Sequence, residues 1–264
     1  MPAIQLDRLN QQILSILQPQ FGPQAFVESL KSLMDAHTNR AYRPGFEVEQ
    51  NLSIESYHLA PIIVQQLNVQ LIRFTQNNPD LALSYVQFLW NEPFLELKTL
   101  AATILGVLPQ EKSTDVLRII SALGLETNEK MLLQLLFLQG THQIRKKNPK
   151  EWLSILKEWL DSGNPGRTNT ALQALQILAE DNQFENLPTV FSMLTQAFLN
   201  PLEATTNSLV GLVQKLAERS PIETAYHLRN IYLNSSTEKI NRLIRRCIPF
   251  LPEEQQFSLR QVMR

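Results

Sequence analysis

The sequence predicts an all-α fold, an array of stacked antiparallel helix pairs. Three observations predict it. Glycine is scarce, with 8 residues in 264, while Leu, Gln and Glu are the commonest, a balance that favours helices over glycine-turned sheets. The 15 prolines cluster with small polar residues, where they mark helix ends rather than interiors. Apolar residues recur at helical spacing, most clearly after the aromatic anchor Trp90 and the turn Asn91-Glu92-Pro93. There, positions 94, 97, 100, 101, 104 and 105 form one buried helical face.

Taken in order, an amphipathic helix runs from Leu6 to Gln18, and a second from Pro23 to His37. Thr38 to Gly45 reads as an irregular loop, with Pro44 and Gly45 closing it. From Ser53 the pattern is helical to Asn77, with a restart at Pro61. Helices then begin near Asp80, Ser113, Pro149, Leu187 and Pro221. Each is followed by a second, near Pro93, Thr127, Arg167, Pro201 and Thr237. Ser113, Thr127 and Ser220 are placed to cap helix N-termini. Two helices in roughly 35 residues is the scale of HEAT-like repeats, and one pair cannot bury its own apolar face, so pairs stack into an α-solenoid. A single domain is expected over 1–264, with 1–52 as a helical cap and loop and 53–264 as repeats. Residues 257–264 would form a capping helix.

Composition limits the function. Net charge is −1, from 24 basic and 25 acidic residues, so any polyanion must be held by a local patch rather than a global field. One cysteine, Cys247, excludes an internal disulfide and reads as core between Ile244 and Ile248. The start lacks the basic and apolar regions of a signal peptide, and no window approaches a membrane span. A cytoplasmic monomer with no membrane contact is expected. His37, His58, His142 and His227 are scattered without a ligand constellation, so no metal site is expected. No glycine-rich phosphate loop or other cofactor motif is present. Trp152 and Trp159 share a helix face with Ile155 and Leu156 and read as core.

Trp90, Asn91, Pro93, Glu96, Lys98, Ala101, Ile104 and Leu105 together resemble the most characteristic segment of the bacterial HEAT-like DNA alkylation repair glycosylases. The stretch with Glu203, Asn207, Leu209, Val210, Leu212, Leu216, Ala217, Ser220 and Pro221 is similar to that family's penultimate repeat. The likeness covers roughly residues 75 to 250. It implies a concave surface that holds the backbone of duplex or branched DNA. In members that excise a base, it also implies a Trp-rich helix carrying an aspartate that stabilises the oxocarbenium-like sugar. Repeat matching puts that position about 40 residues after Trp90. This chain reads Glu129-Lys130-Met131-Leu132-Leu133-Gln134-Leu135 there, with neither Trp nor Asp. The second aromatic wall, expected after Pro201, is replaced by Leu209, Val210, Leu212 and Val213. Base excision therefore lacks its usual groups, and no catalytic residue is assigned; Glu129 reads as a first-turn acid favoured by the helix dipole.

Two basic clusters are the candidate DNA contacts. Arg145, Lys146, Lys147 and Lys150 lie in what reads as a short loop before a helix. Arg167 follows at the next helix start, where free backbone N–H groups would also favour an anion. Lys239, Arg242 and Arg246 form a stripe at i, i+3 and i+7, with Arg245 beside it, opposite Ile240, Leu243, Ile244, Cys247 and Ile248. A solvated surface is the plain alternative for each cluster. For the whole chain the alternative is a HEAT-repeat scaffold that holds a protein partner in its concave groove and has no enzymatic activity.

Overall fold

The computed structural model describes residues 5–20, 22–38, 54–127, 129–235 and 237–263. The loop expected over 38–45 lies, beyond Thr38, outside the described residues. The all-α expectation holds: among the described residues there are fifteen α-helices, one isolated β-bridge and no strand.

The chain forms two compact units, residues 1–121 with 138–148, and residues 122–137 with 149–264. The first contains α1 (Leu6–Ile16), α2 (Pro23–His37), α3 (Pro61–Asn77), α4 (Pro79–Asn91), α5 (Leu95–Val107) and, after α6 (Ser113–Glu126) and α7 (Lys130–Leu135), α8 (His142–Lys147). Here α1, α3, α5 and α8 pack in series, and α2 packs on α4 beside them. The second contains α7, α9 (Pro149–Asp161), α10 (Pro165–Glu180), α11 (Leu187–Leu199), α12 (Thr206–Arg219), α13 (Pro221–Ser235), α14 (Glu238–Cys247) and α15 (Glu253–Val262). Within it α7, α10, α12 and α14 form one row and α9, α11, α13 and α15 the other. Most of these contacts join helices two steps apart along the chain, while α5–α8 and α7–α10 are three steps apart.

Proline and glycine punctuate as their chemistry dictates. Pro23, Pro61, Pro79 and Pro165 occupy the first turn of their helices, where the missing N–H has no intrahelical partner to lose. Gly163 takes φ +66° in the turn between α9 and α10, a left-handed conformation that a side chain would strain. Gly106 lets α5 meet the turn at Gln139, since a Cβ there would collide with the Gln139 carbonyl.

Three local expectations are corrected. Residues 54–60 are not helical, because Pro61 drives Ala60 to ψ 139° and the segment instead pairs with the Trp90 corner. Glu55 donates its N–H to the Pro93 carbonyl at 3.2 Å and accepts from Leu95 N–H at 2.8 Å. The helix expected from Thr127 is in three pieces: α7 with Glu129 rather than Thr127 at its N-cap, a wide π-turn at Leu136–Gly140, and α8. Glu129 is therefore outside the helix, not in its first turn. After Pro201 a 3-10 turn, Glu203–Thr205, precedes α12.

Both cores are aromatic. In the first unit Phe26 stacks on Tyr85 at 4.2 Å, and Phe74 lies parallel to Tyr85 at 6.0 Å. In the second, Trp152 and Trp159 meet edge to face at 6.0 Å, both buried as expected, with Phe137 against Trp152. Pairs of this kind add about 0.5–1.5 kcal/mol to the burial of their area.

Candidate nucleic-acid interface

α14 is strongly amphipathic, and its sequence explains its placement. Ile240, Leu243, Ile244 and Cys247 are buried against α12, α13 and the turn at Ile248–Phe250. Burial pushes the Cys247 thiol up to about 12, so it stays protonated and inert. Thr237 caps the helix by accepting from Ile240 N–H at 3.3 Å. With that face fixed, Lys239, Arg242, Arg245 and Arg246 are all exposed.

Three of them line an open groove of about 700 Å³ between the N-terminal end of α12 and the length of α14. Lys239, Arg242 and Arg246 form one wall, and Thr206 and Asn207 stand on the other with Glu203. Arg246 is aimed across the groove by its hydrogen bond to Asn207 Oδ1 at 2.9 Å. Arg242 pairs with Glu238 one turn earlier; with side chains 73% and 83% exposed, this pair is too wet to lock the guanidinium away from another anion. The N-terminal end of α12 adds partial positive charge. Asn207 and Glu238 are the site residues that sequence reading passed over. Glu238 was detectable as the i−4 neighbour of Arg242, whereas Asn207 needed the contact of α12 with α14.

The other candidate cations are elsewhere and differently engaged. Arg145, Lys146 and Lys147 form the last turn of α8, not a loop. Arg145 folds back, donating from Nε to Thr141 Oγ1 at 3.0 Å and from its terminal nitrogen to the Leu138 carbonyl at 2.8 Å. It thereby holds the π-turn together. Lys146 and Lys147 are exposed where α8 ends, a position a helix C-terminus favours for cations. Lys150 is exposed in the first turn of α9 and Arg167 in that of α10. The backbone N–H of Arg167 is not free for an anion as expected: Asn164 Oδ1 accepts it at 3.1 Å.

The Trp90 segment serves structure. Trp90 is buried; the Lys98 ammonium lies 5.5 Å from its ring centre and donates to its carbonyl. Burial lowers the Lys98 pKa, partly opposed by the Glu92 carboxylate. Glu96 accepts from Ser56 Oγ at 2.7 Å, Tyr57 stacks on Phe94 at 4.1 Å, and Lys31 reaches Glu92 at 3.2 Å. Nearly every polar side chain of the motif is thus spent on its own corner. Arg219 plays a similar part in the second unit: it donates to the Leu178, Ala179, Asp181 and Phe184 carbonyls where α10 ends.

Where the resemblance places excision chemistry, Leu132 and Leu133 are buried and no aromatic residue stands on α7. His227 stacks on Phe191 at 4.4 Å, and burial lowers its pKa. Among the described residues no three His, Cys, Asp or Glu side chains are arranged to hold a metal, and no helix is long and apolar enough to cross a membrane. No protein-family model, curated protein or solved structure matches this chain.

Proposed function

We propose that this protein is a DNA-binding helical-repeat protein of the DNA alkylation repair type, which grips the phosphate backbone without the standard base-excision chemistry. The observation that carries the reading is the groove in which Lys239, Arg242 and Arg246, spread along α14, face the N-terminal end of α12. Spacing along one helix gives the cations a common face, and the groove gives a phosphate room to reach them. Each phosphate neutralised releases counterions, so affinity should fall with salt at a logarithmic slope of about −0.9 per contact. The contacts are to charge rather than to base edges, so affinity should vary little with sequence. The resemblance of the Trp90–Leu105 segment to the repair family supports the duplex or branched DNA assignment. The absence of Trp and Asp from 129–135 is why excision is left out of it.

The test is fluorescence anisotropy with duplex and branched DNA at low salt. Salt-sensitive, sequence-indifferent binding that weakens in Arg242→Ala and Arg246→Ala is expected. No binding to either DNA at low salt sinks the proposal. Incubation with alkylated DNA is expected to release no methylated base above background.

A further inference from the structure

The four most exposed large apolar side chains among the described residues lie on just two helices, α13 and α15: Ile222 (67%), Phe257 (64%), Tyr226 (62%) and Leu233 (58%). On α13, Ile222, Tyr226 and Leu233 stand at i, i+4 and i+11, which at 100° per residue puts them on one narrow stripe. Thr224, Leu228 and Ile231, the buried residues of α13, are on the opposite side. The stripe is therefore not a spill-over from the core. A soluble chain rarely leaves such side chains contiguous in water unless something covers them.

The charges within the patch indicate what covers it. Arg229, at i+7 from Ile222, lies inside the stripe. A groove of about 240 Å³ runs between the two helices, with Ile222, Tyr226 and Arg229 on one wall and Glu254, Gln255 and Ser258 on the other. Arg229 and Glu254 are both exposed, and neither forms an ion pair among the described residues. A partner of uniform charge would satisfy one of them and repel the other. A second copy related by a two-fold axis satisfies both, because an isologous contact sets each Arg229 against the other copy's Glu254 while the apolar stripes meet.

We propose that the α13/α15 face is a homodimer interface, closed by the Ile222, Tyr226 and Leu233 stripe and by two reciprocal Arg229–Glu254 pairs. It uses no residue of the α12/α14 groove wall, so it stands or falls separately from DNA binding.

Sedimentation velocity of the full chain, from micromolar concentration to about 1 mM, the weak end of specific association, tests it. A monomer–dimer equilibrium is expected. Tyr226→Asp should weaken it at least about tenfold with an unchanged melting temperature, since the side chain is exposed in the monomer. Arg229→Glu and Glu254→Arg should each weaken it, because each sets like charges face to face, and the double reversal should restore it. A chain that stays monomeric throughout overturns the proposal and leaves the face to a different partner. So does a dimer indifferent to these substitutions, or single reversals that the double variant fails to rescue.

Discussion

The Trp90 corner in the first unit and the α12/α14 groove in the second each set basic side chains where helices meet, and they use them oppositely. At Trp90 the ammonium of Lys98 is withdrawn onto a ring and a carbonyl, and burial makes its charge harder to keep. At α14 the guanidinium groups of Arg242 and Arg246 stand in an open groove and touch only an exposed carboxylate and an amide. The difference lies in the carbonyls. A corner that leaves backbone acceptors uncovered recruits its nearest cation as a structural donor, as Lys98, Arg145 and Arg219 all illustrate. At the C-terminus of α14 the backbone covers its own acceptor, Ile248 N–H donating to the Ile244 carbonyl, and the cations of that helix are left for another partner.

That contrast can be broken or sharpened by substitution. The largest effect should come from Trp90→Ala, which empties the centre of the corner and should cost about 3–5 kcal/mol in urea unfolding. A loss below about 1 kcal/mol would mean the corner is not held by its ring. Tyr57, stacked on Phe94, gives a pH signature. Burial, helped by the Asp35 and Glu92 carboxylates, pushes its phenol from 10.0 up to about 12. Between pH 10 and 12 the unfolded chain has released a proton that the folded chain keeps, so stability falls as pH rises, by about 2–3 kcal/mol at most. Tyr57→Phe should remove that part of the slope in pH-dependent unfolding. Arg219→Met removes a donor shared by four carbonyls, of which those of Leu178 and Asp181 keep a backbone N–H, and should cost about 2 kcal/mol without changing DNA affinity.

The groove substitutions should behave in the reverse manner. Arg242→Ala with Arg246→Ala should leave the unfolding curve within about 0.5 kcal/mol of wild type. The same pair should lower DNA affinity about tenfold and reduce the salt slope by about 2, in anisotropy titrations. Smallest is Glu238→Gln. Removing the carboxylate that competes for Arg242 should tighten DNA binding by about threefold, roughly 0.6 kcal/mol. Weaker binding in that variant would show that Glu238 positions Arg242 rather than competing with the phosphate.

Much of this was legible in the sequence because it is local. Scarce glycine, prolines at the starts of α2, α3, α4 and α10, and the apolar periods of α5 and α14 needed no tertiary information. The errors came where a distant segment decided. Residues 54–60 have a helical composition, but their hydrogen bonds go to Pro93 and Leu95, about 40 residues on. The helix expected from Thr127 is broken by a turn whose carbonyl Arg145 holds. The Arg167 N–H expected to be free is taken by the side chain of Asn164, three residues earlier.

By itself, then, the sequence determined the helical class, most helix starts and the buried faces of α5, α9 and α14. These depend on backbone chemistry and on apolar spacing within single segments. Only the tertiary structure decided which cations are spent and which remain available. Lys98, Arg145, Arg219 and Arg246 are alike as residues, and their roles are set by the acceptors that packing brings within 3 Å or so of each.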